Sequence, residues 1–476
     1  MQLHPIQRAS KKLVIFAGLL AYSSILLIVP ASAMAQTQSQ PQEQSLSQQQ
    51  APTQQQAPYQ QQEPYQQQEP IQQQVQAQPQ RQSQFQSVSQ WRGPNRDGIY
   101  PESGLLKQWP AEGPKMVWSY DGLGTGMGSV AVYKERVYVT GIPDTLTSEG
   151  FLFAFDTKGK LLWKKNYGKD WTGIFPGARS TPTIVDDLLY LENGNGSVLC
   201  LKTENGEKVW SIDFFKDLQC DSVQFGFSES LLIDGNRLFC APGGKINNVV
   251  ALDRFTGKKI WSSPAYREPA TYTSPILINH NGTHLLVNLT ASSIIGLDAD
   301  TGEMYWRIHQ FQDNKIHANT PAYFDGKIIV SSASRKDSSG LVVLQLSPDG
   351  KKADILWRNK EFINLMEGFI LKDGYMFGSA YLQPKWFCVD LKTGLTKYIA
   401  KELGGGPIIY ADGLFYCYSE KDGEMALAEG SPEQFRFISR FKVPMGTAQH
   451  WAHPVIADKK LYLRHNDALM VYDLKN

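Results

Sequence analysis

The 476 residues carry 47 Lys and Arg against 46 Asp and Glu, a formal charge of +1. With no run of five like charges, the chain lacks the electrostatic footprint of a nucleic-acid partner. Length alone allows two or three ordinary domains, a count that internal repeats override.

In chain order, Arg8, Lys11 and Lys12 precede an apolar run over 13–29, and Ala33-Met34-Ala35 follows with the small-x-small form of a signal-peptidase site. The favoured reading of 1–35 is a signal peptide cleaved after Ala35. The alternative is an uncleaved N-terminal helix, since the 17-residue run stands at the lower limit of the roughly 17 to 25 residues that span a bilayer. Either reading exports the rest of the chain, to the periplasm or the cell surface, with 13–29 as the membrane tether if it is retained. No Cys lies near Ala35 to carry a lipid anchor.

Residues 36–90 form a linker in which 27 of 55 residues are Gln, with hexads of Gln-Gln-Gln-x-Pro ending in Tyr59, Tyr65 and Ile71. Such a composition cannot bury enough apolar area to offset its ordering entropy, and a disordered spacer is expected.

From 91 to 476 the chain is built of short alternating apolar strands separated by Asp-Gly, Asn-Gly and Thr-Gly turns. One pattern recurs: an apolar strand, mostly ending in Asp, a turn with Gly, then Trp. It reads Asp156, Gly159, Trp163; Lys202, Gly206, Trp210; Asp253, Gly257, Trp261; and Asp298, Gly302, Trp306. Later copies are worn: Gly350 and Trp357 keep the frame, Asp390 and Gly394 lead to Tyr398, and Phe437 takes the aromatic slot after that. Gly supplies the backbone freedom of a tight turn, and a large aromatic on the outer strand buries area between neighbouring units.

A second column, just ahead of each innermost strand, reads Gly128, Thr181, Glu229, Ser274, Thr320, Glu367, Gly406 and His453, spaced 39 to 53 residues apart. Eight four-stranded blades of a β-propeller follow. The last copy ends at Asp473 without an aromatic strand, and 115–120, with Trp118 in register, is an orphan strand ahead of the first repeat. It is expected to complete the eighth blade and close the ring, which removes two exposed sheet edges. Trp118, Trp163, Trp210, Trp261, Trp306 and Trp357 are the expected blade-docking residues.

Loops ahead of innermost strands converge on one mouth of a propeller's channel, where ligands commonly sit. In the column Gly, Ser and Thr fill five places, while Glu229, Glu367 and His453 are ionisable. Arg179, His317 and His450, two or three residues ahead of their column residues, join them as candidates. Two carboxylates and a His in one channel suit a hard cation, an oriented water or an acid–base pair, against a plain hydrogen-bonded lining. Glu229 and Glu367 are the candidate metal ligands.

Other signals point away from chemistry. Five cysteines, Cys200, Cys220, Cys240, Cys388 and Cys417, include no CxxC and no adjacent pair, and four sit in strand patterns as small buried hydrophobes. The glycine-rich stretch 122–128 imitates a phosphate loop, but an apolar strand follows it where a nucleotide fold needs a helix, so it reads as a connection between blades.

The Asp-x-x-Thr-Gly-x-x-x-Trp character, clearest from Asp253 to Trp261 and Asp298 to Trp306, resembles the docking repeats of the pyrroloquinoline-quinone-repeat propellers. The opening Trp91-Arg92-Gly93-Pro94-Asn95-Arg96-Asp97-Gly98 is similar to the start of exported bacterial members. That group includes quinoprotein alcohol dehydrogenases and the propeller lipoprotein of the outer-membrane assembly machinery. A catalytic member implies pyrroloquinoline quinone over a Trp floor, calcium held by Glu, Asn and Asp, and often a disulfide of adjacent cysteines, which this chain lacks. The expected function is a cell-envelope platform that binds envelope proteins or a small ligand at the channel mouth. A quinone-dependent alcohol or sugar dehydrogenase is the alternative.

Overall fold

The computed structural model describes residues 88–309, 316–333, 340–381 and 383–476. The signal or anchor over 1–35 and nearly all of the Gln-rich linker lie outside the described residues.

Eight four-stranded antiparallel sheets follow one another along the chain. Blade 1 shows the unit: Ala131–Tyr133, Arg136–Gly141, Glu149–Asp156 and Leu161–Lys169, running from the axis outward. Its innermost strand is short because eight strands crowd one axis, and its outer strand is longest where the ring is widest. The remaining innermost strands are Thr183–Val185, Leu232–Asp234, Ile276–His280, Ala322–Phe324, Phe369–Lys372, Ile408–Ala411 and Val455–Ala457. Each begins two or three residues after its member of the column read from the sequence.

The eighth blade closes as expected. Met116–Tyr120 pairs with Ala468–Asp473, placing Trp118 opposite Val471 and Tyr120 opposite Leu469. The stretch 122–128 is the connection from this blade to the first, followed by the strand Ala131–Tyr133.

The Gly and Trp that touch come from successive repeats and so from neighbouring blades. The ring of each Trp lies on the turn of the next blade: a Cβ on Gly159 would stand 2.6 Å from Trp118, one on Gly257 2.7 Å from Trp210, and one on Gly302 2.5 Å from Trp261. These glycines also hold φ of +88°, +71° and +79°, so conformation and space both demand them. Indole N–H groups reach the same turns, from Trp118 to the Thr157 carbonyl at 3.1 Å and from Trp210 to that of Arg254 at 3.0 Å. The Asp of the repeat caps its own turn: Asp253 Oδ1 accepts from the Phe255 and Thr256 amides. In the worn copies Tyr398 reaches the Ser431 carbonyl at 2.6 Å, and Phe437 stands opposite Ala428 as Trp163 stands opposite Ala154.

The core is accordingly spread between blades. The buried apolar clusters of the described residues each straddle neighbouring blades, and the largest joins blades 7, 8 and 1 across the point of closure. All five cysteines are buried with free thiols within these layers, and burial pushes Cys388 up to about 11.

A methyl added at Gly302 meets the left-handed backbone cost of about 1–2 kcal/mol and the Trp261 ring, whereas Gly282, at φ +90°, has open space around its Cβ position. Gly302→Ala is therefore expected to lower the thermal midpoint clearly more than Gly282→Ala. Equal shifts would remove the docking account of the repeat glycines.

Candidate functional site

The axial channel is filled by the protein's own N-terminal segment. Val88 bridges Val132 of blade 1 in antiparallel sense, and the Ser89 carbonyl accepts from the Ile184 amide of blade 2 at 2.8 Å. After a loop over 91–98, Ile99–Tyr100 descends parallel to Ile408–Ala411 of blade 7. The segment thus arrives from the side of the turns that join first and second strands, reverses at the mouth where the column residues lie, and leaves again.

At the reversal, two arginines hydrogen-bond the carbonyls that crowd the axis. Arg92 Nη2 donates to the Phe369 carbonyl at 2.7 Å and to that of Asp97 at 3.1 Å. Arg96 Nη1 donates to the Leu231 carbonyl at 3.0 Å, and its Nη2 to that of Ser230. Both side chains are buried, and desolvation lowers both from the ordinary arginine range, Arg96 to about 10. Trp91 stands beside them, its indole N–H 2.9 Å from Thr320 Oγ1 and its ring edge-on to His453 at 4.7 Å.

The six candidate residues reach different fates. His453 Nε2 lies 3.0 Å from the Met366 carbonyl, which only accepts, so Nε2 carries the proton and Nδ1 accepts from Arg92 at 3.1 Å. Burial, then the Arg92 charge, lowers its pKa to about 3. Arg179 and His453 share the mouth. Glu229 Oε2 accepts the Ala241 amide at 2.7 Å, and Glu367 Oε2 those of Leu365 and Met366 at 2.8 and 3.0 Å. Burial raises Glu229 to about 8 and Glu367 to about 7, and neither lines the mouth cavity. His317 is buried with Nε2 3.4 Å from the Ala291 carbonyl. His450 is stacked on His465 with centroids 3.6 Å apart, its Nδ1 lies 2.5 Å from the Tyr418 hydroxyl, and burial lowers its pKa to about 4. Each carboxyl group thus bonds nearby backbone amides through Oε2, while its Oε1 is buried without a partner, and both stand apart from the two basic side chains at the mouth.

The sequence left other residues unmarked. Glu192, whose Oε1 accepts the Glu229 amide at 2.9 Å, is a third buried carboxyl, raised by desolvation and then by Glu229. It ends an ordinary apolar strand and gives no signal in one dimension. The mouth itself is aromatic: a cavity of about 240 Å3 is walled by Phe175, Phe225, Tyr272, Tyr381 and Trp451 over a floor of Trp91. Four of these walls sit two to six residues ahead of their column residues, so aromatics near the column were the available clue. Their rings form a belt, Trp451 to Phe175 at 5.1 Å, Phe175 to Phe225 at 6.1 Å and Phe225 to Tyr272 at 6.0 Å.

A repeat propeller with a filled axis and an aromatic mouth is the class that these features define. Residues 148–400, more than half of the chain, match the family model described as outer membrane protein assembly factor BamB, and the chain belongs to that family. It is also 26% identical over 147 residues to quinohemoprotein alcohol dehydrogenase of Comamonas testosteroni, a match to 28% of this chain and 20% of that protein. The chain therefore matches about a fifth of this curated relative's length. Among solved structures, BamB from Moraxella catarrhalis superposes with a TM-score of 0.56 at 14% identity, over 76% of this chain and 98% of that one. The Comamonas testosteroni dehydrogenase gives 0.57 at 10% identity, over 82% and 81%. At such identity the shared property is the fold.

The residues present do not fit the calcium-held quinone of the catalytic branch. No carboxylate lines the cavity among the described residues, and Glu229 and Glu367 are turned to backbone amides. The buried guanidinium groups of Arg92 and Arg96 lie beneath the mouth, where a calcium ion would meet like charge.

The raised Glu367 binds a proton in the folded state that the unfolded chain releases near pH 4.5. Its contribution is full below about pH 4.5 and is lost as pH rises through about 7. Glu367→Gln removes that loss, so between pH 5 and pH 8 the melting temperature of the variant relative to wild type is expected to move in the variant's favour. A constant difference would contradict the buried, proton-binding carboxyl.

Proposed function

We propose that the protein is a binding and assembly platform of the cell envelope. The observation that carries this reading is the mouth: an aromatic-walled cavity over a filled channel, from which the candidate carboxylates are turned away. Walls of Trp, Phe and Tyr supply contact area with few rotatable bonds, as protein interfaces do, and no acid–base pair lines the cavity among the described residues. Membership of the assembly-factor family supports the same reading, as does the signal-like pattern of 1–35, whose apolar run over 13–29 would serve as a tether if it is retained. The Gln-rich linker then gives the ring reach.

The test uses the full-length protein in two arms. Affinity purification from detergent-solubilised envelopes is expected to recover a stoichiometric protein partner, and repeated recovery of none counts against the platform. Incubation with pyrroloquinoline quinone and calcium is expected to give neither a bound chromophore nor dye reduction with alcohols or sugars. Stoichiometric quinone with turnover would establish the dehydrogenase reading instead.

A further inference from the structure

The two faces of the ring differ in degree, large apolar side chains being exposed mostly on the mouth side and, opposite it, at Phe255 and Leu395. The turns between first and second strands are polar, as at Lys134-Glu135, Asp186-Asp187, Asp325-Gly326 and Asp412-Gly413. On the mouth side of blades 1 to 4, the loops expose Leu146, Ile174, Phe175, Phe215, Ile246 and Tyr266. Six large apolar side chains on one arc, beside the aromatic cavity, make a surface of the kind that marks protein interaction sites.

Phe175 is the link between arc and cavity. It is 43% exposed, belongs to the aromatic belt, and holds a left-handed φ of +54° that a Phe adopts only when its surroundings impose it. Arg179 is bonded to this turn, its Nη2 donating to the carbonyls of Ile174, at 3.2 Å, and Phe175. The other donors of that guanidinium are poorly met: Nε is buried without a partner, and Nη1 reaches only the Met127 sulfur at 3.7 Å. Among the described residues that line the cavity Arg179 is the one fixed charge, because His453 is held neutral. Among the described residues the lining has apolar walls, one cation and no carboxylate, the buried Asp170 acting on Arg179 from outside it, and such a lining complements an apolar group that carries a negative charge beside it.

We infer that the mouth docks an extended polypeptide of a partner protein, seating an aromatic side chain on Trp91 and placing a neighbouring carboxylate against Arg179. The inference rests on the platform reading and names its partner's chemistry. Size favours a side chain over a cofactor: the cavity of about 240 Å3 is smaller than the roughly 300–1,000 Å3 that encloses drug-sized ligands. Polarity favours it too, since the chain enters the channel from the polar face and so leaves the mouth open to a partner.

The probe is a blocked, dye-labelled hexapeptide containing Asp-Trp, titrated into the full-length protein by fluorescence anisotropy, with Asn-Trp and Asp-Ala counterparts. Saturable binding of the Asp-Trp peptide is expected, weakened about tenfold by Asn for Asp and lost with Ala for Trp. In Arg179→Gln the Asp-Trp and Asn-Trp peptides should bind alike, and Arg179→Lys should restore part of the preference. Phe175→Ser should abolish binding, while Leu395→Ser, on the opposite face, should leave it unchanged. The inference is overturned if the Asp-Trp peptide does not saturate, if Asn for Asp changes nothing, if Phe175→Ser has no effect, or if N-acetyltryptophan alone binds as tightly. Should the peptide arms fail while envelope partners are still retained by Phe175→Ser and Arg179→Gln, the mouth assignment falls and the platform stands. Should the peptide bind as expected while wild type retains no envelope partner, the platform falls alone.

Discussion

Eight short strands around one axis leave a central channel walled by peptide groups, and buried peptide groups need partners. In this protein the partners come from the chain itself. Residues 88–100 run up the channel, turn beneath the mouth and run down again, touching innermost strands or their approach loops in seven of the eight blades. Arg92 and Arg96 suit the turn because a guanidinium offers several fixed donors and no acceptor to a cluster of carbonyls. Closure of the ring follows in the same segment, which continues to Met116–Tyr120 and pairs with the last blade. One stretch of chain therefore fills the axis, seals the ring and supplies Trp91 as the floor of the mouth.

The blades around that axis hold one another by a relation that spans two repeats. Each indole rests where the next blade has a glycine with positive φ, so the residue that packs and the residue that permits packing sit in successive copies. Apolar clusters then lie between blades. Such a ring is rigid at its rim and tolerant in its loops, which suits a surface used for docking. The polarity of the two faces, with exposed Phe175 and Ile174 on one and Asp-rich turns on the other, is decided in those loops.

Much of the fold was legible in one dimension. The blade count, the docking tryptophans and the closing strand around Trp118 could be read because each rests on a spacing that recurs, and a recurring spacing survives wear such as Tyr398 and Phe437. The column ahead of the innermost strands located the mouth, and two of its six candidate residues, Arg179 and His453, line the cavity. The fates of Glu229 and Glu367 were hidden because a carboxylate's direction depends on which backbone amides lie free beside it, here those of Ala241, Leu365 and Met366. The filling of the channel was hidden for another reason: Trp91, Arg92 and Arg96 occur once, and a segment without a repeat has no frame that places it. Its eight-residue opening was visible only as a likeness to other exported propellers.

Hydrogen–deuterium exchange of the full-length protein, resolved at Val88, Gly98 and Tyr410, tests the filled axis most directly. The Val88 amide donates to Val132 at 2.9 Å, Gly98 to Arg92 at 2.9 Å and Tyr410 to Gly98 at 2.9 Å. If the segment occupies the channel, these amides exchange as slowly as those of the buried strands Leu188–Glu192 and Leu414–Tyr418. Exchange of Val88 and Gly98 at the rate of an exposed turn, with the blades still protected, would contradict the account.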